Sequence, residues 1–130
     1  MFSHVFTSVT DFDRAFRFYA PLMQTLGNPL RFSKPEKPWA GWHSKGGQRP
    51  FFVICHPHDG QAHAAGNGQM VAFTAQDRQQ VIDAYQQGLA LGGSCEGPPG
   101  LRPQYHADYF GAYLRDPDGN KICIVCHAAG

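Results

Sequence analysis

The feature that most constrains this chain is that it repeats. Val5, Tyr19 and Gly27 recur as Val71, Tyr85 and Gly93, each pair 66 residues apart in a chain of 130. That spacing admits two copies of one plan and leaves no room for a third. In the first copy, His4 to Val9 is β-branched and aromatic, as strands are. Thr10-Asp11 then supplies a helix N-cap. Phe12, Ala15, Phe16, Tyr19, Leu22, Met23 and Leu26 follow at three- and four-residue steps. They predict a helix from Asp11 to Leu26, disturbed at Pro21, which has no amide hydrogen, and stopped at Gly27. Strands are expected at Leu30 to Ser33, Trp39 to His43 and Phe51 to Cys55, and a loop from His56 to Gly68. The second copy predicts a strand at Met70 to Ala75 and a helix from Asp77 to Leu91, burying Val81, Ile82, Tyr85, Leu89 and Leu91. A loop carrying Pro98, Pro99 and Pro103 follows, then strands at Phe110 to Arg115 and Lys121 to Cys126 around an Asp116 to Asn120 turn.

Each copy therefore reads as a strand, a helix and then about three strands, three in the first copy and two clear ones after the proline loop in the second, which points to a repeated βαβββ plan. Such a unit has one apolar sheet face and one helix, so it needs a second unit to complete a fold. Units 1–65 and 66–130 are expected to form a single α+β domain over residues 1–130. Their sheets would pair into a curved eight-stranded mixed sheet with the helices outside. The concave side becomes a pocket, and pockets of this kind take small ligands. Composition narrows the function classes. With 42% hydrophobic and 16% charged residues the chain is not of a disordered type. A net charge of +1 without charged runs gives no drive toward nucleic acid or anionic membrane. No apolar run approaches a membrane span, and Met-Phe-Ser-His lacks the pattern of a secretory leader, so a cytoplasmic protein is expected. Cys55, Cys95, Cys123 and Cys126 are then thiols. Cys123 and Cys126 have metal or redox spacing, but three residues along a strand they face opposite ways.

Particular motifs carry a resemblance: His4-Val5 opening the first strand, the Asp11 to Gly27 helix with Phe18-Tyr19 inside it, Gly66 to Phe73 (GNGQMVAF), and Asp116 to Ile122 (DPDGNKI). In these and in the order of its elements, the chain resembles the vicinal-oxygen-chelate superfamily. That superfamily includes glyoxalase I, extradiol dioxygenases and bleomycin-resistance proteins. The resemblance implies paired βαβββ modules, a lyase, isomerase or dioxygenase-related activity on a small oxygenated molecule, and a divalent zinc, nickel or iron ion. It places the metal ligands at His4, Val53, Met70 and Cys123. Only His4 is a good ligand among these, since catalytic zinc generally takes three protein donors and a thioether is a poor substitute for imidazole or carboxylate. No cofactor is therefore expected. The alternative to an enzyme is a protein that binds and sequesters a small molecule, as bleomycin-resistance members do.

The remaining candidates follow from residue type and position. His4 and His106 are the candidate acid or base groups. Phe6, Ser8, Val53, Met70 and Cys123 are expected to line the cavity, with Tyr105 and Tyr109 at its mouth. Alternation places His4, Phe6 and Ser8 on one face of the first strand. Trp39, Trp42 and Phe51 join Phe6 as aromatics suited to an inner face. His56, His58, Asp59 and His63 read as an exposed connection rather than a second metal site, with Pro57 breaking any strand between the first two. Arg49 and Arg102 flank proline turns; either could hold a substrate carboxylate, but the reading preferred for both is a solvated arginine. The expected partners are a small-molecule ligand and a second copy of the chain in a homodimer, because small sheets have edges to cover.

Overall fold

The computed structural model describes residues 1–130. Its order is β1 (His4–Ser8), α1 (Phe12–Thr25), β2 (Leu30–Lys34), β3 (Trp39–Ser44), β4 (Gln48–Cys55), β5 (Val71–Thr74), α2 (Arg78–Ala90), β6 (Ser94–Leu101), β7 (Phe110–Arg115) and β8 (Lys121–Cys126). The chain divides into two compact units, Met1–Ala65 and Gly66–Gly130. Each is a βαβββ module with its own four-stranded mixed sheet, ordered β1-β4-β3-β2 and β5-β8-β7-β6. The eight strands are thus hydrogen-bonded as two sheets of four. Both sheets have one parallel pair, β1 with β4 and β5 with β8, and are otherwise antiparallel. The repeat holds in register: Val5 lies opposite Phe52, and Val71 opposite Ile122.

In the first module Asp11 caps α1, its carboxylate accepting from the Arg14 amide at 3.1 Å. The helix continues through Pro21 to Thr25, where a disturbance was expected. The proline forfeits one helical hydrogen bond, but Phe18, Tyr19, Leu22 and Met23 around it are buried and hold the turn to the sheet. Phe18 is fully buried, its ring edge-on to Tyr19 at 4.9 Å, whereas the expected core residue Phe16 is half-buried and stacks on Trp42. Tyr19 packs on Phe52. Trp42 and Phe52 therefore face α1. By alternation His4, Phe6, Ser8, Gly41, Phe51, Val53 and Cys55 face away from it. Trp42, expected among the inner-face aromatics, thus belongs to the helix side.

In the second module Asp77 caps α2, accepting from the Gln80 amide at 2.8 Å. The buried face of α2 is Val81, Ala84 and Gly88; Tyr85 and Ile82 are half-buried, and Leu89 and Leu91 are 39% and 37% exposed. Side-chain size explains the correction. Residues 81, 84 and 88 share one stripe, and with alanine and glycine there the helix axis approaches β6, β7 and β8 closely. The leucines are left to the flank. Of the proline stretch expected as a loop, Pro103 does lie outside regular structure, but Pro98 and Pro99 belong to strand β6. It lies at the sheet edge, and its register shifts at Cys95/Gly97 and Gly97/Gly100. Prolines are tolerated there because an edge strand has amides the ladder does not use. Ile122, Ile124 and Cys126 of β8 and Ala112 and Leu114 of β7 are buried against the helix. The β7–β8 turn is built around Asp116, only 3% exposed, whose carboxylate accepts from the Asp118 amide at 2.8 Å, the Asn120 amide at 3.0 Å and Asn120 Nδ2 at 2.9 Å. No helix is long and apolar enough to cross a membrane.

Candidate functional site

The helix-free face of the first module gathers four of the expected site residues: His4, Phe6 and Ser8 on β1 and Val53 on β4, the last directly opposite Phe6. Phe6 is 58% exposed and Val53 only 5%. His4 is exposed; its Nδ1 lies 2.8 Å from Ser3 Oγ and its ring 5.3 Å from that of Phe6. Ser8 Oγ is hydrogen-bonded to Nδ1 of His63, so the loop after β4 returns to this face. The sequence does not announce that contact, because it joins a strand to a residue 55 positions on. A shallow groove lined by Thr10, Asp11, Phe12, Pro35, Pro38 and His56 lies by the N-terminus of α1. Two carboxylates line it, Asp13 and Asp11, and Asp11 is already the helix cap.

The second module carries a denser constellation. Cys123 of β8 is fully buried and lies opposite Tyr113 of β7 and Ala72 of β5. It holds the same place in its sheet as Val53 in the first, since Ala72 corresponds to Phe6 in the repeat. Tyr109, just before β7, lies over Gly111: a Cβ there would stand 2.9 Å from Tyr109 Cε1. This lets the phenol reach along the sheet. Its Oη is 2.8 Å from Tyr113 Oη and 3.6 Å from Cys123 Sγ. Burial raises the Cys123 thiol pKa, offset only in part by the tyrosines, Arg102 and Lys121. Burial also raises both phenols, and the hydrogen bonds to Tyr113 and Cys123 raise Tyr109 further. All three groups are therefore neutral at pH 7 and form one hydrogen-bonded chain.

Around Tyr109 stand the other expected residues. Tyr105, 62% exposed, has its ring 4.9 Å from that of Tyr109. His106 is edge-on to Tyr109 at 5.7 Å and stacks on His127 at 5.1 Å. His106 Nδ1 accepts from the Asp108 amide at 3.2 Å, so in the neutral ring the proton sits on Nε2 and is donated to His127 Nδ1 at 2.8 Å. Met70 precedes β5 and is 43% exposed. Tyr113, which the sequence groups with Tyr105, His106, Asp108 and Tyr109 as a run dense in polar aromatics, also belongs here. Counting outward from the Asp116–Asn120 turn, the hairpin register puts Tyr113 opposite Cys123.

The residues at the implied metal positions can be judged by their donors. In the first module Val53 offers no donor atom, and His4 is the one good ligand. In the second, Met70 offers a thioether and Cys123 a buried thiol held in its protonated form beside Tyr109. Thiolate, not thiol, binds metal. This donor set does not fit the ion that the resemblance implies. In neither module do three His, Cys, Asp or Glu side chains gather as a metal would need.

Two four-stranded sheets, each backed by one helix, define the class of fold. The chain belongs to the Glyoxalase/Bleomycin resistance protein/Dioxygenase superfamily, whose model matches residues 1–124. A glyoxalase/bleomycin resistance protein from Albidiferax ferrireducens T118 is 38% identical with a TM-score of 0.84, over 96% of this chain and 98% of that one. A glyoxalase-related enzyme from Fulvimarina pelagi (19% identity, TM-score 0.71, 97% and 87% covered) shares the fold. So does a lactoylglutathione lyase from Agrobacterium tumefaciens (19%, 0.63, 97% and 92%). No curated protein sequence matches the chain.

Proposed function

We propose that the protein binds a small planar molecule on its helix-free sheet faces without a metal at the family positions, as a sequestering protein of the bleomycin-resistance type. One observation carries this reading: Cys123 is a fully buried thiol in hydrogen-bonding contact with Tyr109, and its counterpart in the other module is a valine. Aromatic surface supports it, with Phe6 and Tyr105 both mostly exposed beside these positions. The same reading takes the four free cysteines as a sign of a reducing, cytoplasmic setting. It also takes the chain as a homodimer, because each sheet ends in strands with unused backbone groups. Sedimentation at twice 14.4 kDa is expected, and a monomer would remove that part.

An enzymatic reading, a lactoylglutathione-lyase-like or other lyase or isomerase with His4 or His106 as acid or base, has one observation in its favour. His106 and His127 are hydrogen-bonded ring to ring, Nε2 to Nδ1, at 2.8 Å. The test treats the protein with a chelator and titrates it with small aromatic molecules. Binding in the micromolar to sub-millimolar range is expected, with no turnover of a glutathione hemithioacetal when zinc or nickel is supplied. Metal-dependent turnover would overturn the binding reading.

A further inference from the structure

The helix-free face of the second module has a feature that neither metal binding nor core packing requires. Arg102, just after β6, lies along the sheet above two glycines. A Cβ at Gly97 would stand 3.3 Å from Arg102 Nη2, and one at Gly100 would stand 3.1 Å from Arg102 Nη1. Two residues without side chains thus make room for one guanidinium. It is fixed there by its backbone amide donating to the Tyr109 carbonyl at 2.9 Å and by Nη2 donating to the Pro98 carbonyl at 2.7 Å. Its carbon is 5.5 Å from the centre of the Tyr113 ring. Lys121 Nζ lies 5.6 Å from the same centre. Neither cation is in an ion pair. Arg102 bonds a neutral carbonyl, and Glu96, whose carboxyl pKa is lowered chiefly by Arg115 and only slightly by Lys121, is held by Arg115 at 2.6 Å.

We propose that Tyr113, Arg102 and Lys121 form an anion site that takes the carboxylate or enolate oxygen of a small planar ligand. This rests on the metal-free reading above and names the ligand class it serves. Two uncompensated cations on one phenol ring set a local positive potential. The hydrogen-bonded chain supplies a matching donor. With an anion beyond Tyr113, the Cys123 thiol donates to Tyr109, Tyr109 to Tyr113, and Tyr113 to the anion, each bond strengthening the next. Arg102 adds a charge-assisted hydrogen bond from its remaining donors. The exposed Tyr105 ring beside Tyr109 offers a planar surface for the body of the ligand. The face thus presents positive charge and hydrogen-bond donors where a metal-binding relative would present a Lewis acid.

The test uses the full chain in chelator, with benzoate as the anionic probe and benzamide as its neutral counterpart, followed by isothermal titration. Benzoate should bind at least about tenfold more tightly than benzamide. Arg102→Gln and Tyr113→Phe should each weaken benzoate by about tenfold and leave benzamide unchanged. Lys121→Gln, on a central strand, makes the same test should Arg102→Gln fail to fold, and is expected to weaken benzoate by about threefold. Equal binding of the two probes would overturn the site while leaving the metal-free reading intact. So would the absence of benzoate binding up to about 10 mM, or unchanged affinity in Arg102→Gln. Benzoate binding that appears only after zinc or nickel is added would overturn both.

Discussion

Replacing Tyr109 by phenylalanine removes one oxygen atom and little else. The ring still lies over Gly111 and against Tyr105, His106 and His127. The oxygen makes one good contact, 2.8 Å to Tyr113, and one weak contact, 3.6 Å to Cys123. A neutral hydrogen bond contributes about 1 kcal/mol net, and a half-buried Tyr113 hydroxyl left without its partner recovers part of the loss from water, so Tyr109→Phe should cost about 1–1.5 kcal/mol. Tyr113→Phe should cost about the same or less. The double variant should cost less than the sum by about 0.5–1 kcal/mol, because removing both partners leaves no orphan. For a urea slope near 1.5 kcal/mol/M, the single change moves the midpoint by roughly 0.5–1 M without altering the slope. Trp39 and Trp42 both lie in the first module, so indole fluorescence follows that half. Near-ultraviolet tyrosine dichroism must follow the second. If the two losses add to within about 0.3 kcal/mol, the hydroxyls are not coupled and the hydrogen-bonded chain is refuted.

Two further outcomes follow. Asp116→Ala strands the Asp118 and Asn120 amides in a tight turn and should cost about 2–4 kcal/mol in urea unfolding, with Asp116→Asn costing less; a loss below about 0.5 kcal/mol would contradict the account of the turn. Stability should fall at alkaline pH. The Cys123, Tyr109 and Tyr113 pKa values are raised in the folded state, so above about pH 8.5, where an unfolded thiol ionises, the unfolded chain binds fewer protons. The contribution is whole below that pH and is lost as pH climbs toward the folded values. Cys123→Ser should reduce the slope, and an unchanged slope would show that burial of this thiol is not linked to folding.

The sequence carries the modular plan because the repeat marks equivalent places in the two halves, Val5 and Val71 on the first strand of each and Tyr19 and Tyr85 on the helix, although Tyr19 is fully buried and Tyr85 only half-buried. Strands β7 and β8 were legible to the residue, since alternation and the Asp-Pro-Asp-Gly-Asn turn bound them on both sides. Strand β6 was not, because Pro98 and Pro99 argue for a loop unless the strand is known to be an edge, and that is a fact of tertiary structure. The buried stripe of α2 was misread for a related reason. Leucines signal burial, but close approach to the sheet favoured Ala84 and Gly88 and left Leu89 outside. Of the site residues, Tyr109 and Cys123 were named without their mutual contact, which depends on the close approach of the Tyr109 ring to Gly111. Arg102 read as solvated because nothing in a linear pattern shows two glycines opening space beneath it.

The most direct test of the central claim, that Cys123 serves as a buried thiol and not as a metal ligand, is near-ultraviolet absorption of the chelator-treated protein on addition of cobalt(II). A thiolate bound to cobalt gives intense charge-transfer absorption, whereas imidazoles and thioethers do not. The account predicts that wild type and Cys123→Ser give the same spectrum, whatever exposed histidines contribute. A charge-transfer band that saturates at one equivalent in wild type and vanishes in Cys123→Ser would contradict it.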